Sequence, residues 1–193
     1  VCVFLGLGLP IKAGRAELIW FYGGQFDQAI PADPEATRGW MDDATIEIPD
    51  HLLIEDLNVT VSLTHTSVFD LQLFLTSPSG TTVLLNAYDP FTDYFEGADY
   101  RQTVFDDEAD ICISDATAPF DGWFSPVSDG ALSAFDGEDA FGCWHLQIYD
   151  ASYVNTGCLE AFGLMVTATP EPATIVLMLA GLGLVGLSRG RTG

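Results

Sequence analysis

The chain has 193 residues, the length of one folded domain, and 28 acidic against 6 basic side chains give it a formal charge of −22. A surface this acidic repels nucleic acid and anionic membrane, so neither is expected as a partner. The 48% apolar content suffices for a core, although apolar stretches at both ends raise it.

In chain order, Val1–Ala16 is apolar through Leu9 and then small and polar. It reads as the tail half of a secretory signal peptide, truncated at its charged start, with cleavage after Ala16. An ordinary buried strand is the alternative. The segment 17–169 is then the folded domain. It holds every acidic residue except Glu171, with Arg38 and Arg101 as its only basic side chains.

Within that domain Leu57, Val59, Val61, Leu63 and His65 alternate with Asn58, Thr60, Ser62 and Thr64, the period of a strand with one buried face. Asp70–Leu75 repeats the alternation and breaks at Ser77-Pro78-Ser79-Gly80, a turn in which Pro78 presets φ and Gly80 closes. Thr82–Leu85 returns as the second strand of a hairpin. A long loop over Asn86–Gln102 carries Tyr88, Phe91, Tyr94, Phe95 and Tyr100, expected to be exposed. Anchoring of this loop onto the domain is the preferred reading of those rings, and sugar stacking the other.

Thr103–Phe105 and Ile111–Ile113 read as short strands, and Pro119–Pro126 and Ser128–Gly142 as irregular. Trp144, Leu146 and Ile148 alternate up to Asp150, and Leu159–Val166 comes back as the last strand. No helical period runs between residues 40 and 169. Many short strands at even spacing predict an all-β antiparallel sandwich.

The cysteines are Cys2, Cys112, Cys143 and Cys158, in no zinc-site spacing. With Cys2 in the leader, one disulfide and one free thiol are expected among the other three, the pair left open. No nucleophile elbow, HExxH or phosphate-binding loop occurs, and the chain is read as a non-enzyme. His65, on the apolar side of its strand, reads as a buried hydrogen-bonded histidine in preference to a metal ligand or base.

Several signatures occur in order: Ile48-Pro49-Asp50, VTVSLTHT at Val59–Thr66, Asp70-Leu71, LTSPSGT at Leu75–Thr81, FDDEA at Phe105–Ala109, PFDG at Pro119–Gly122, LSAFDG at Leu132–Gly137, GxWxLxIxD at Gly142–Asp150, and Gly157-x-Leu159 with Phe162-x-Leu164. Over about Phe26 to Thr167 the chain thereby resembles the P domain (P/Homo B domain) of kexin- and furin-like proprotein convertases. The resemblance implies a jelly-roll β-sandwich without catalytic machinery of its own. Asp70, Asp107 and Asp150 lie at strand ends or loops of that pattern. Gathered at one edge, three like charges call for a cation, and a shared structural Ca²⁺ is the expectation. The competing reading is that these aspartates cap turns.

Residues 170–193 form a separate tail. Pro170-Glu171-Pro172, the apolar run Ala173–Leu187, and then Arg189 and Arg191 resemble a PEP-CTERM sorting signal. A helix over that run spans about 22 Å, short of a bilayer core of about 30 Å, so it suits transient anchoring in the inner membrane, oriented by its arginines, and later removal. The resemblance implies processing by an exosortase in bacteria that make extracellular polysaccharide. The expected protein is a non-catalytic exported module, with a structural or binding role at the cell surface or in the extracellular matrix. The alternatives are an accessory partner of a separate secreted subtilisin-like protease, or a carbohydrate-binding module.

Overall fold

The period of two builds the molecule. In the computed structural model, which describes residues 4–6, 18–33, 35, 38–87, 97–128, 131–151 and 153–168, eleven strands form two facing sheets, a jelly-roll-like β-sandwich. The strands are β1 (Phe4–Gly6), β2 (Leu18–Ile30), β3 (Gly39–Trp40), β4 (Ala44–Ile48), β5 (Ile54–His65), β6 (Leu71–Thr76), β7 (Thr82–Asn86), β8 (Tyr100–Phe105), β9 (Phe120–Phe124), β10 (Gly142–Asp150) and β11 (Gly157–Ala168). One sheet runs β1-β2-β11-β5-β8-β9. The other runs β3-β10-β6-β7, with β4 paired to β10 beside β3.

Each alternating strand turns its apolar set inward. Val59, Val61 and Leu63 of β5 and Phe162, Leu164 and Val166 of β11 meet Leu71, Leu73 and Leu75 of β6 and Trp144, Leu146 and Ile148 of β10 in one buried cluster. A bulge between Leu159 and Ala161 adds one outward residue to β11 and keeps both Leu159 and Phe162 in the core. The Ser77–Gly80 turn forms as read. The Gly80 N–H donates to Ser77 O at 3.0 Å, and Gly80 takes φ +94°, a conformation that favours glycine.

Several segments depart from the sequence expectation. Pro119–Pro126 is not irregular, because Phe120–Phe124 forms β9, which lies parallel to β8 at the sheet edge and buries Phe120 and Phe124. Ile111–Ile113 is no strand: Cys112 makes a single bridge to Ser125, and a 3-10 turn follows at Ile113–Asp115. Tyr100, expected on an exposed loop, is buried against Phe120 at 4.9 Å between ring centroids. The other loop aromatics, Tyr88, Phe91, Tyr94 and Phe95, lie outside the described residues.

Phe4–Gly6, inside the segment read as a leader, pairs antiparallel with Ile19–Phe21 of β2. The rest of 1–16 lies outside the described residues, as do the tail motif Pro170, Glu171 and Pro172, the apolar run with its expected helix, and Arg189 and Arg191. Cys112, Cys143 and Cys158 are all free thiols. The disulfide expected among these three does not form: Cys143 sits on β10 opposite Glu47, Cys158 on β11 of the other sheet opposite Thr64, and the Cys112 thiol lies against Ser114 and the Pro126 carbonyl.

Candidate functional site

At one end of the sandwich β5 stops at His65, β10 stops at Asp150, and the 3-10 turn Val68–Asp70 leads into β6. His65 and Asp150, 85 positions apart in sequence, meet there at 3.2 Å between Nε2 and Oδ2, and both side chains are 0% exposed. His65 Nδ1 lies 2.6 Å from the Ser67 carbonyl oxygen and 3.2 Å from the Ser67 backbone nitrogen, so the Ser67 peptide groups engage it in either tautomer. Both ring nitrogens are engaged and shut off from solvent, so the pair has no free nitrogen with which to activate a nucleophile. It acts as a latch joining the two sheets.

Polar neighbours close around the latch. Asn155 donates to Asp70 Oδ2 at 2.6 Å and accepts from the Thr66 hydroxyl at 2.9 Å. Asp99 accepts the His65 backbone N–H at 3.2 Å and an Arg101 guanidinium N–H at 3.1 Å. Gly157 lies opposite His65 in the β5–β11 register. A Cβ there would run into the Thr64 carbonyl and come within 2.6 Å of His65 Cδ2, which accounts for the glycine of the Gly157-x-Leu159 signature. Asp99 and Asn155 escaped the sequence reading, since each lies in a connection whose partner is set by tertiary structure.

Of the three aspartates read as calcium ligands, the structure brings two to one end and leaves the third at the other. Asp150 is half of the latch, and Asp70 lies beside it through Asn155. Asp107 lies beyond Phe105, which pairs with Val59, whereas Tyr100 at the start of β8 pairs with Leu63 near the latch. The length of β8, about 16 Å at strand rise, separates the two ends. There Asp107 accepts the backbone N–H groups of Leu132 and Ser133 at 3.2 and 2.8 Å, capping the 3-10 turn Leu132–Phe135. The three carboxylates therefore do not fit one shared calcium site. Among the described residues no group of three or more His, Cys, Asp or Glu is placed to hold a metal ion.

The Asp107 end carries its own electrostatic signature. The Glu108 carboxyl is pushed up to about 7, first by its hydrogen bond with Asp106, then by partial burial and the charges of Asp56 and Asp106. Asp56 is also raised, by burial and then by Asp106 and Asp136, and Asp136 by burial and then Asp107. A carboxyl that holds its proton more tightly folded than unfolded lends stability at low pH that is lost as pH climbs through its folded pKa. For Glu108 this window runs from its ordinary 4.5 up to about 7. The opposite shift at Asp139, held down chiefly by its hydrogen bond with His51, acts below that window. The melting temperature is accordingly expected to fall as pH rises from about 5 to about 7, with a shallower fall in Glu108→Gln, read by calorimetry across that range. An equal slope in the two proteins would assign the effect to general repulsion among the acidic residues.

Comparison with known proteins bears on both parts of the chain. The family model of the proprotein convertase P-domain matches residues 54–166, and that of the PEP-CTERM protein-sorting motif matches residues 168–191. No curated protein matches. Similar solved structures include the serine protease of Aeromonas sobria in complex with its chaperone, at 18% identity and a TM-score of 0.49, covering 80% of this chain and 27% of that one. The same protease alone gives 18% identity and a TM-score of 0.47, covering 83% of this chain and 28% of that one. The chain thus spans under a third of the length of these structures.

Proposed function

Because the chain belongs to the proprotein convertase P-domain family, we propose that it serves as a non-catalytic exported module, delivered to the cell surface or extracellular matrix through exosortase processing of its tail. The observation that carries this reading is the junction of the two parts. The last strand among the described residues, β11, ends at Ala168, and the sorting motif begins at the same residue. The strand that pairs with both β2 and β5 is thus complete two residues before Pro170, and removal of the tail from Pro170 onward leaves its pairings with both strands intact. The latch fits the same role: it ties the last residue of β5 to the last residue of β10 across the sandwich and exposes no reactive nitrogen.

Sorting is tested with the Pro170, Glu171 and Pro172 triple alanine variant, expressed in a host that carries an exosortase. The wild-type chain is expected to lose its tail and to be found outside the inner membrane. The variant is expected to stay in the membrane fraction at its uncut mass. A variant that leaves the membrane at the same mass as processed wild type would refute the reading.

A further inference from the structure

The outward faces of the two sheets differ, and the five-stranded one carries an aromatic platform. On β10 the inward set is Trp144, Leu146 and Ile148, which sends His145, Gln147 and Tyr149 outward. The register sets Trp40 opposite Tyr149 and Phe74 opposite Gln147. Trp40 is 53% exposed, with its ring centroid 5.0 Å from that of Tyr149 and 5.8 Å from that of Phe74. Two flanking rings thus hold a large indole in one orientation while half of it faces solvent. An aromatic surface kept exposed and rigid in this way marks a contact site.

Polar groups surround the platform. The Gln147 side-chain amide donates to Asp43 Oδ1 at 3.1 Å, and His145 Nδ1 lies 3.1 Å from the Thr45 hydroxyl and 3.9 Å from Asp43 Oδ2. An amide, a carboxylate, an imidazole and a hydroxyl therefore stand beside the rings, already oriented by one another. At the adjoining corner the Arg38 guanidinium lies over the Tyr153 ring, 4.6 Å from its centroid.

From this juxtaposition we infer that the outer face of the five-stranded sheet is a carbohydrate-binding surface for a neutral polysaccharide. A pyranose ring stacks its C–H face on Trp40, and its hydroxyls pair with Gln147, Asp43 and their neighbours. A sugar ring is apolar on its faces and hydroxylated at its rim, and this patch has the complementary layout. The centre of a protein–protein interface is depleted of charge, whereas here Asp43 is hydrogen-bonded to Gln147 on the same face as the rings. The chain's formal charge of −22 sets the ligand's sign, because it repels polyanions and leaves uncharged polymers unopposed. An open sheet face also lets a long chain lie across it without a free end having to enter a pocket. This inference does not rest on the sorting role, and the sorting experiment reads cell location rather than sugar binding.

The test is affinity electrophoresis and pull-down of the 193-residue chain, kept soluble in detergent, with cellulose, xylan and starch as neutral probes and alginate as the polyanion. The wild type is expected to bind at least one neutral polymer and to ignore alginate. Trp40→Ala should weaken that binding about tenfold, the factor carried by one stacking contact, while keeping a cooperative unfolding transition. Trp40→Tyr should keep most of it, and Gln147→Ala should weaken it without touching the platform. Failure to bind any of the neutral probes, preference for alginate, or equal binding by Trp40→Ala would overturn the inference. So would capture of a subtilisin-like protease by the wild type but not by Trp40→Ala, with no polysaccharide bound, since the face would then be a protein-docking surface.

Discussion

Replacing Asp150 with alanine is expected to destabilise the folded chain by about 3–5 kcal/mol, the cost of removing one partner of a buried pair. For a chain of this size that is a fall of roughly 10 °C or more in melting temperature. The reason is local and geometric. His65 Nε2 and Asp150 Oδ2 are 3.2 Å apart with both side chains at 0% exposure, so no water replaces a deleted carboxylate. The variant leaves a polar ring nitrogen buried without its partner. Asp150→Asn separates this cause from simple loss of volume. The asparagine amide offers both a donor and an acceptor, so it can pair with His65 Nε2 in either tautomer. The conservative variant should therefore recover most of the loss. Urea or thermal unfolding of the three proteins checks it, and a wild-type melting temperature for Asp150→Ala would show that the pair does not hold the sheets.

The second large effect is expected at Trp144, where alanine should cost about 3–5 kcal/mol. The indole is fully buried on β10, packs edge-on against Phe135 at 5.1 Å between centroids, and donates from Nε1 to the Ala140 carbonyl at 2.9 Å. It therefore holds both the core and the Leu132–Phe135 turn, whose N–H groups Asp107 caps. Truncation opens a large cavity and also orphans a buried carbonyl. Trp144→Phe keeps most of the volume and loses the hydrogen bond, so a smaller loss of about 1–2 kcal/mol is expected. Denaturant unfolding measures both. Equal losses in the two variants would mean that the hydrogen bond, and not the packing, carries the effect.

The two sites show how far local pattern reaches. Trp144 was legible as core because Leu146 and Ile148 share its period, and the structure buries all three. His65 was legible as buried for the same reason on β5. Its partner was not, because alternation says which face a side chain takes and nothing about which strand lies opposite. Asp150 reaches His65 only through the order in which β10 and β5 enter separate sheets.

The same limit governs the rest of the molecule. By itself the sequence determined the all-β sandwich, the strands around Leu57–His65, Asp70–Leu75 and Trp144–Asp150, the Ser77–Gly80 turn, and the division between a folded domain and a sorting tail. Each of these depends on a period of two, a turn residue or a composition change, and all are local in the chain. Tertiary structure alone decided that Phe120–Phe124 runs parallel to β8, and that Asp107 caps a turn at the far end from Asp70 and Asp150. It also decided that Trp40, Phe74 and Tyr149 share one outward face. These are relations between segments tens of residues apart. They are set by sheet order and register, which follow from how the whole set of apolar faces closes on one core.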